Sequence, residues 1–111
     1  MNFKVEKRES YSVVTMLTER LDTYTTAELR SELVLLAGDS VKNILLNLLS
    51  CNYCDTSGLS AILIAHRLCK EGKLVLVTTS TSVENMLSIQ RFEPAIEVVE
   101  TLEEGEAEML K

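Results

Sequence analysis

Two stretches near the start of the chain place apolar and polar residues in partial alternation, the pattern typical of β-strands. The stretches run from Phe3 to Lys7 and from Ser12 to Leu17, and the polar residues 8–10 separate them. A short polar connection between two such segments predicts a hairpin of paired strands.

From Thr25 the apolar positions change to the spacing of an amphipathic helix. Thr25 and Glu28 have the spacing of a capping box, so we expect the helix to begin there, and Gly38 is expected to end it. The apolar face of this helix consists of Leu29, Leu33 and Leu36.

Two short runs are almost continuously apolar, which is the pattern of central strands that are covered on both faces. These runs extend from Ile44 to Leu49 and from Leu74 to Val77. The segment between them, residues 58–69, is long enough for a helix, which is expected to end near Gly72. This β-α-β order implies parallel strands that are joined by a right-handed crossover.

The last third of the chain adds two helices and a strand. Thr81 and the glutamate three residues later form a second capping box, which predicts a third helix that ends before Pro94. Residues 96–99 can form a last strand, and Thr101 with the glutamate three residues later predicts a short acidic helix. The order β-β-α-β-α-β-α-β-α predicts an α/β fold with a mixed, mostly parallel sheet and four helices.

Length and charge narrow the classes of function. The chain has 111 residues, of which 46% are hydrophobic, and this suits a single domain over residues 1–111. Its formal net charge is -6 and Lys and Arg are not clustered, so we expect no binding of nucleic acid or of acidic membranes. The apolar runs are too short for a membrane span, and the early charges do not fit a signal peptide. We therefore expect a cytoplasmic monomer without membrane insertion.

The three cysteines allow more than one interpretation. Cys51 and Cys54 form a C-x-x-C pair, and His66 with Cys69 offers a second pair. Four such residues are a conceivable ligand set for a zinc site. This zinc site is disfavoured, because His66 and Cys69 lie about 13 Å along the predicted helix from its start and therefore far from the first pair. A redox C-x-x-C usually opens a helix directly, whereas two residues intervene here. We expect three buried core side chains, a half-buried His66, and no bound metal or other cofactor.

The segment from Cys54 to Leu59 joins the end of an apolar strand to the start of a helix, a place where open α/β sheets can hold ligands. Asp55, Thr56 or Ser57 is a suitable N-cap, whose side-chain oxygen accepts hydrogen bonds from free amides of the first turn. From spacing alone, this structural role is the simpler interpretation of the three residues.

The same segment carries a resemblance to a known family. Asp55-Thr56-Ser57-Gly58-Leu59 resembles the D-S-S-G-L motif of STAS domains, the family of the bacterial anti-sigma factor antagonists. Leu21-Asp22 and the later Thr26-Ala27-Glu28-Leu29-Arg30 resemble the L-D and the T-A-x-x-L-R of that family. The predicted order of strands and helices is also similar to the STAS fold, so the resemblance covers essentially the whole chain.

This resemblance implies a binding protein that is switched by phosphorylation, and not an enzyme. In the family, the second hydroxyl of the motif, here Ser57, is phosphorylated by a partner that is both a serine kinase and an anti-sigma factor, and a phosphatase resets the switch. The unphosphorylated antagonist sequesters the kinase and releases a sigma factor. Asp22 and Asp55 match acidic positions that flank the kinase-facing surface.

The expected surface extends onto the helix that follows the motif. There Ile64 is expected to project as an isolated exposed side chain near Ser60, on the side opposite the apolar stripe. The predicted partner-binding residues are Asp22, Asp55, Thr56, Ser57, Gly58, Ser60 and Ile64.

Some positions depart from the family pattern. Glu19 stands where the family often has Gly, and Asn47 and Leu49 replace the Asp and Ser of its usual D-L-S strand ending. Thr56 replaces a Ser and leaves a second hydroxyl as an alternative phosphoacceptor. These departures concern the local surface and the identity of the partner rather than the fold.

Two other functions stay open at this point. One is a docking subunit of a lipid-transport or stressosome-like complex, in which Ser57 would be only a cap. The other is binding of a small ligand at the strand ends, although no side chain of the sequence favours this function. Catalysis is not expected, because the sequence contains no G-x-G-x-x-G, P-loop or H-E-x-x-H motif.

Overall fold

The computed structural model describes residues 2–89 and 96–111, and its elements follow the predicted alternation. Over these residues the strands are β1 (Phe3–Lys7), β2 (Ser12–Met16), β3 (Arg20–Leu21), β4 (Asn43–Asn47), β5 (Tyr53–Cys54), β6 (Lys73–Val77) and β7 (Glu97–Val99). The helices of the same residues are α1 (Thr23–Gly38), α2 (Thr56–Leu68), α3 (Thr81–Ile89) and α4 (Leu102–Met109). No helix in this part of the chain has the length and apolar character needed to cross a membrane.

The larger sheet of the described chain contains five strands in the order β1-β2-β4-β6-β7. β1 and β2 pair antiparallel as a hairpin, and the other neighbouring strands pair in parallel. The register places Leu46 of β4 opposite Val14 of β2 and opposite Leu76 of β6. The predicted hairpin, the parallel β-α-β unit and the mixed, mostly parallel sheet are therefore confirmed.

Helices cover both faces of this sheet, which explains why its central strands are apolar throughout. Val14, Leu46 and Leu76 belong to the main core, which α1, α2 and α3 cover. Their chain neighbours Val13 and Leu45 belong to a smaller core, which α4 closes on the opposite face. Successive side chains of a strand point to opposite faces, so a strand that is buried on both faces loses the alternation of apolar and polar residues.

A second sheet of two very short strands is absent from the sequence prediction. β3 and β5 pair in parallel, with Arg20 opposite Tyr53 and Leu21 opposite Cys54. Strands of two residues are too short for a hydrophobic period to reveal them. This pair is important for the site, because β3 leads into α1 and β5 leads into α2.

The helix α1 begins two residues earlier than predicted. Its N-cap is Asp22, whose carboxylate accepts hydrogen bonds from the backbone N–H groups of Tyr24 at 3.1 Å and Thr25 at 3.3 Å. The Thr25 hydroxyl accepts a hydrogen bond from the Asp22 backbone N–H at 3.0 Å and completes a reciprocal capping box. The predicted box of Thr25 and Glu28 is wrong, because Thr25 already lies in the first turn.

The later helix boundaries agree with the prediction in part. α3 begins at Thr81, but the hydroxyl that accepts a first-turn backbone N–H belongs to Ser80, so the box predicted at Thr81 is wrong by one residue. The predicted helix end before Pro94 lies outside the described residues. Thr101 caps α4 as predicted, because its hydroxyl accepts the backbone N–H of Glu104 at 3.1 Å.

Strand ends also differ from the prediction. β2 ends at Met16 instead of Leu17, and β4 ends at Asn47 instead of Leu49. β4, β6 and β7 each begin one residue away from the predicted start. Apolar residues continue past the last paired residue of β2 and β4, so hydrophobicity alone makes the predicted strands too long.

Candidate partner-binding site

The motif that resembles the STAS signature forms the start of α2. Asp55 is the N-cap, and its Oδ1 accepts a hydrogen bond from the backbone N–H of Gly58 at 3.0 Å. The helix therefore begins at Thr56, two residues before the predicted start. Ser57 lies half-buried in the first turn, and Thr56 is exposed. Because Asp55 provides the cap, the start of α2 does not depend on the Ser57 hydroxyl.

Asp22 occupies the corresponding position at the start of α1. The hydrogen bond from the Thr25 backbone N–H is the main reason that the pKa of Asp22 lies below its ordinary value, and the Tyr24 backbone N–H and Arg20 act in the same direction. Desolvation acts in the opposite direction but is the weaker influence. Asp22 is therefore ionised at neutral pH, at the end of the helix where a negative charge is favoured.

The first turns of α1 and α2 meet through their side chains. The hydroxyl oxygens of Thr23 and Ser57 lie 3.2 Å apart, within hydrogen-bonding distance. The β3–β5 pair accounts for this contact, since each of its strands leads through one N-cap residue into one of the helices. We call the region formed by Asp22, Thr23, Asp55, Thr56 and Ser57 the Ser57 edge. Sequence reasoning missed Thr23, because the contact joins residues that are 34 positions apart.

Arg20 places a positive charge beside this edge. The Arg20 Nε atom is 3.4 Å from Asp22 Oδ2, and the guanidinium carbon is 4.0 Å from the centre of the Tyr53 ring. Arg20 and Tyr53 are also opposite each other in the β3–β5 pair. The ion pair and the cation–π contact together hold the Arg20 side chain against the Ser57 edge. Neither contact follows from the sequence pattern.

Gly58 has a packing role. It is buried, and a Cβ atom at this position would lie 2.5 Å from the backbone oxygen of Leu21 and 2.8 Å from the Sγ atom of Cys54. The absence of a side chain allows α2 to approach β3 closely. Gly58 is covered by its own fold, and its role in partner binding stays a prediction.

Ile64 also differs from the prediction. It is half-buried and packs against the main core, so the expectation of an isolated exposed side chain is wrong. α2 contacts both α1 and α3, and these neighbours cover flanks of the helix that its own pattern would assign to solvent. Ser60 is half-buried as well. The residues of the predicted surface that the structure brings together are therefore Asp22, Asp55, Thr56 and Ser57, which all belong to the Ser57 edge.

Large apolar side chains are exposed at the same end of the sheet. Tyr24 in the first turn of α1 is 85% exposed, and Leu17 after β2 is 52% exposed. Leu49 after β4 and Tyr53 in β5 are exposed to a smaller degree. Surfaces that bind other proteins are enriched in exposed aromatic and aliphatic residues of this kind. Sequence reasoning missed these residues, because single apolar positions in connections, in a two-residue strand or at a helix start carry no period.

Of the departures from the family pattern, Asn47 has a structural role through its side chain, and Glu19 contributes its backbone. Asn47 is buried at the end of β4, where its Oδ1 accepts a hydrogen bond from the backbone N–H of Leu49 at 3.0 Å. The backbone oxygen of Glu19 accepts a hydrogen bond from the backbone N–H of Asn52 at 2.8 Å, and the Glu19 side chain is exposed. These bonds fix the two connections that lead to β3 and β5.

The cysteines are buried, as predicted, and His66 is half-buried. Desolvation raises the pKa of Cys51 and of Cys69 to about 11, and that of Cys54 to about 12. These thiols stay protonated at neutral pH, whereas zinc binding and thiol exchange need the thiolate. Residues 2–89 and 96–111 contain no group of three or more His, Cys, Asp or Glu that is arranged to hold a metal ion. That the protein binds no metal or other cofactor stays a prediction.

The fold and the motif together define the class of protein. A family model of the STAS domain matches residues 2–105, and the chain therefore belongs to the STAS domain family. A comparison with curated proteins found no match.

Solved structures share this fold at low sequence identity. An anti-sigma factor antagonist from Mycobacterium paratuberculosis matches with a TM-score of 0.86 and 17% identity, over 98% of this chain and 93% of that chain. The unphosphorylated form of the anti-sigma factor antagonist SpoIIAA matches with 0.77 and 18% identity, over 97% and 96% of the chains. The phosphorylated form of SpoIIAA from Bacillus matches with 0.77 and 19% identity, over 96% and 97%. The architecture is thus the STAS fold of anti-sigma factor antagonists.

Proposed function

We propose that this protein is an anti-sigma factor antagonist, a binding protein without catalytic activity that acts in the cytoplasm. Its unphosphorylated form binds a serine-kinase anti-sigma factor, phosphorylation of Ser57 by that kinase ends the binding, and a phosphatase restores it. The observation that carries the proposal is the position of Ser57. Its hydroxyl lies in the first turn of α2, against Thr23 of α1, at the end of the sheet where Tyr24 and Tyr53 are exposed.

The Ser57 edge and its surroundings offer what a protein partner needs. The exposed tyrosines and leucines provide apolar area that a partner can bury. The carboxylates of Asp22 and Asp55 provide negative charge, and the whole chain has a formal net charge of -6. We infer that the partner presents basic groups at the rim of the interface, away from Ser57, because complementary charge speeds the encounter and selects the partner.

Phosphorylation would change the charge of this edge in one step. The bond between the γ-phosphorus of ATP and its bridging oxygen breaks, a bond from that phosphorus to Ser57 Oγ forms, ADP leaves, and the hydroxyl proton passes to a base of the kinase. The phosphate adds a charge of about -1.5 to -2 at neutral pH. In an interface that excludes water this charge must be desolvated near the Asp55 carboxylate, which weakens binding strongly unless the partner provides an arginine.

The solved relatives support this proposal. The structures with this fold include proteins named anti-sigma factor antagonists, and SpoIIAA has been solved in both its unphosphorylated and its phosphorylated form. The two forms match this chain with the same TM-score of 0.77. In that protein the fold accommodates the phosphate, which agrees with a switch that acts on binding rather than on folding.

A docking subunit without phosphorylation is the alternative function. It would leave Ser57 with the structural role of a cap. Asp55 provides that cap, since its Oδ1 accepts the Gly58 backbone N–H. This observation favours the phosphorylation switch over the docking subunit.

Mapping of the phosphorylated residue tests the proposal. The serine-kinase anti-sigma factor of the same organism, supplied with ATP, should place one phosphate on the parent chain, and mass spectrometry of its peptides should locate that phosphate on Ser57. Ser57→Ala should abolish the modification and Thr56→Ala should keep it, because Thr56 lies outside the hydroxyl pair. Phosphate on Thr56 in the parent chain, or on the Ser57→Ala variant, would contradict the assignment.

A further inference from the structure

The pair of hydroxyls at the Ser57 edge supports a further role for Thr23, which rests on the proposed phosphorylation of Ser57. We propose that the Thr23 hydroxyl donates a hydrogen bond to the phosphate on Ser57, so that the phosphate bridges the starts of α1 and α2. Thr23 is then a positioning residue of the modified state, and the phosphate contacts the starts of two helices instead of one.

Phosphorylation decides which of the two hydroxyls is the donor. In the unmodified chain the two oxygens lie 3.2 Å apart, and either hydroxyl can donate. Formation of the phosphoester removes the hydrogen from Ser57 Oγ, so Thr23 is the member of the pair that can still donate. The ionised phosphate oxygens lie one bond beyond the phosphorus atom and are the stronger acceptors, since hydrogen bonds to ions are about twice as strong as neutral ones.

The surroundings of the pair allow this arrangement. Thr23 is exposed and Ser57 is half-buried, so the phosphate can occupy the solvent side of the pair. Thr23 is the first residue of α1 and Ser57 is the second residue of α2, which places the phosphate at the positive ends of both helices. Among residues 2–89 and 96–111, the carboxylates of Asp22 and Asp55 at the two helix starts oppose a dianion, and the guanidinium of Arg20, which pairs with Asp22, favours it.

The pKa of the phosphate reports this hydrogen bond directly. A hydrogen bond to the dianion lowers the second pKa of a phosphoserine, which is normally about 6. Phosphoserine can be incorporated genetically at position 57 of the full chain and titrated by phosphorus NMR, so the experiment needs no kinase. The variants are Thr23→Val, which keeps the branched shape without the hydroxyl, Thr23→Ser, which restores the hydroxyl, and Thr23→Ala as a second deletion.

We expect the phosphate pKa to be about half a pH unit higher in Thr23→Val and Thr23→Ala than in the phosphorylated parent. Thr23→Ser should titrate like the parent. Thr79→Val, a control in the exposed connection after β6, should also leave the titration unchanged. A thermal melt of each variant tests whether it is folded. If the phosphate pKa rose in Thr23→Val only because the helix start was disturbed, the return of the hydroxyl in Thr23→Ser would not bring the pKa back to the parent value.

Equal pKa values in the parent, Thr23→Val and Thr23→Ala would overturn the proposal. A higher phosphate pKa in Thr56→Val, without a higher pKa in Thr23→Val, would overturn it too. The donor would then be the hydroxyl of Thr56, next to Ser57 in the chain. Failure of the proposed function would give a different result. The titrations would still show the effect of Thr23, and only experiments with the kinase would fail.

Discussion

Ser57→Asp should weaken binding of the serine-kinase anti-sigma factor by at least about 100-fold, because an unpaired charge in a dry interface costs several kcal/mol. The substitution places a permanent negative charge two residues from Asp55, at the centre of the Ser57 edge. Ser57→Ala removes the hydroxyl without adding charge, so it should bind within a few-fold of the parent. Calorimetric titration of each variant against the kinase measures both affinities.

The fold should tolerate the same substitution. Ser57 lies in the first turn of α2, where a carboxylate is favoured, so Ser57→Asp should change the free energy of unfolding by no more than about 1 kcal/mol. Ser10→Asp is the matched control, since Ser10 is exposed in the turn between β1 and β2, at the opposite end of β2. It adds the same charge and should leave binding unchanged. Equal binding by Ser57→Asp and the parent would contradict the role assigned to Ser57.

Gly58→Ala should destabilise the domain by a net of about 1 to 2 kcal/mol, because overpacking costs up to about 3 kcal/mol. Its Cβ would lie 2.5 Å from the Leu21 backbone oxygen, an atom that cannot move without disturbing the β3–β5 pair. The better helix propensity of alanine offsets this cost only in part, by about 1 kcal/mol. Chemical and thermal unfolding measure the effect, and we expect the melting temperature to fall by roughly 5 to 15 °C.

Gly38→Ala is the matched control for this effect. Gly38 is the last residue of α1, and a Cβ there would meet no heavy atom within 4 Å. The substitution should be neutral or should stabilise the domain by up to about 1 kcal/mol, because it restricts the unfolded chain without a clash. Similar losses of stability in Gly38→Ala and Gly58→Ala would show that close packing at Gly58 is not the cause.

The sequence was sufficient for the elements with a long apolar pattern. The central strands around Leu46 and Leu76 were predicted correctly from their continuous apolar runs, because both of their faces are buried. The helix face of Leu29, Leu33 and Leu36 was predicted correctly from its period, because one face of the helix is buried. The starts of the helices were predicted less accurately than the strands and helix faces. Several residues from Asp22 to Thr26 can all serve as caps, and the choice of Asp22 depends on where β3 ends, which no local pattern records.

The candidate site was predictable only where a motif marked it. Asp22, Asp55 and Ser57 were found by their resemblance to the STAS signature. Thr23 was missed, because its contact with Ser57 depends on the pairing of β3 with β5. Ile64 was predicted to be exposed, because the pattern of one helix does not contain the neighbours that pack against its flanks. Tertiary contacts, rather than local propensity, decide these positions.

The most direct test of the central claim compares the two phosphorylation states of the unaltered chain. Calorimetric titration of each state against the serine-kinase anti-sigma factor, with the kinase held in its ADP-bound form, measures the affinities without further phosphoryl transfer. We predict saturable binding of the unphosphorylated chain and an affinity at least about 100-fold lower for the chain with phosphate on Ser57. Equal affinities of the two states, or tighter binding of the phosphorylated one, would contradict the proposed switch.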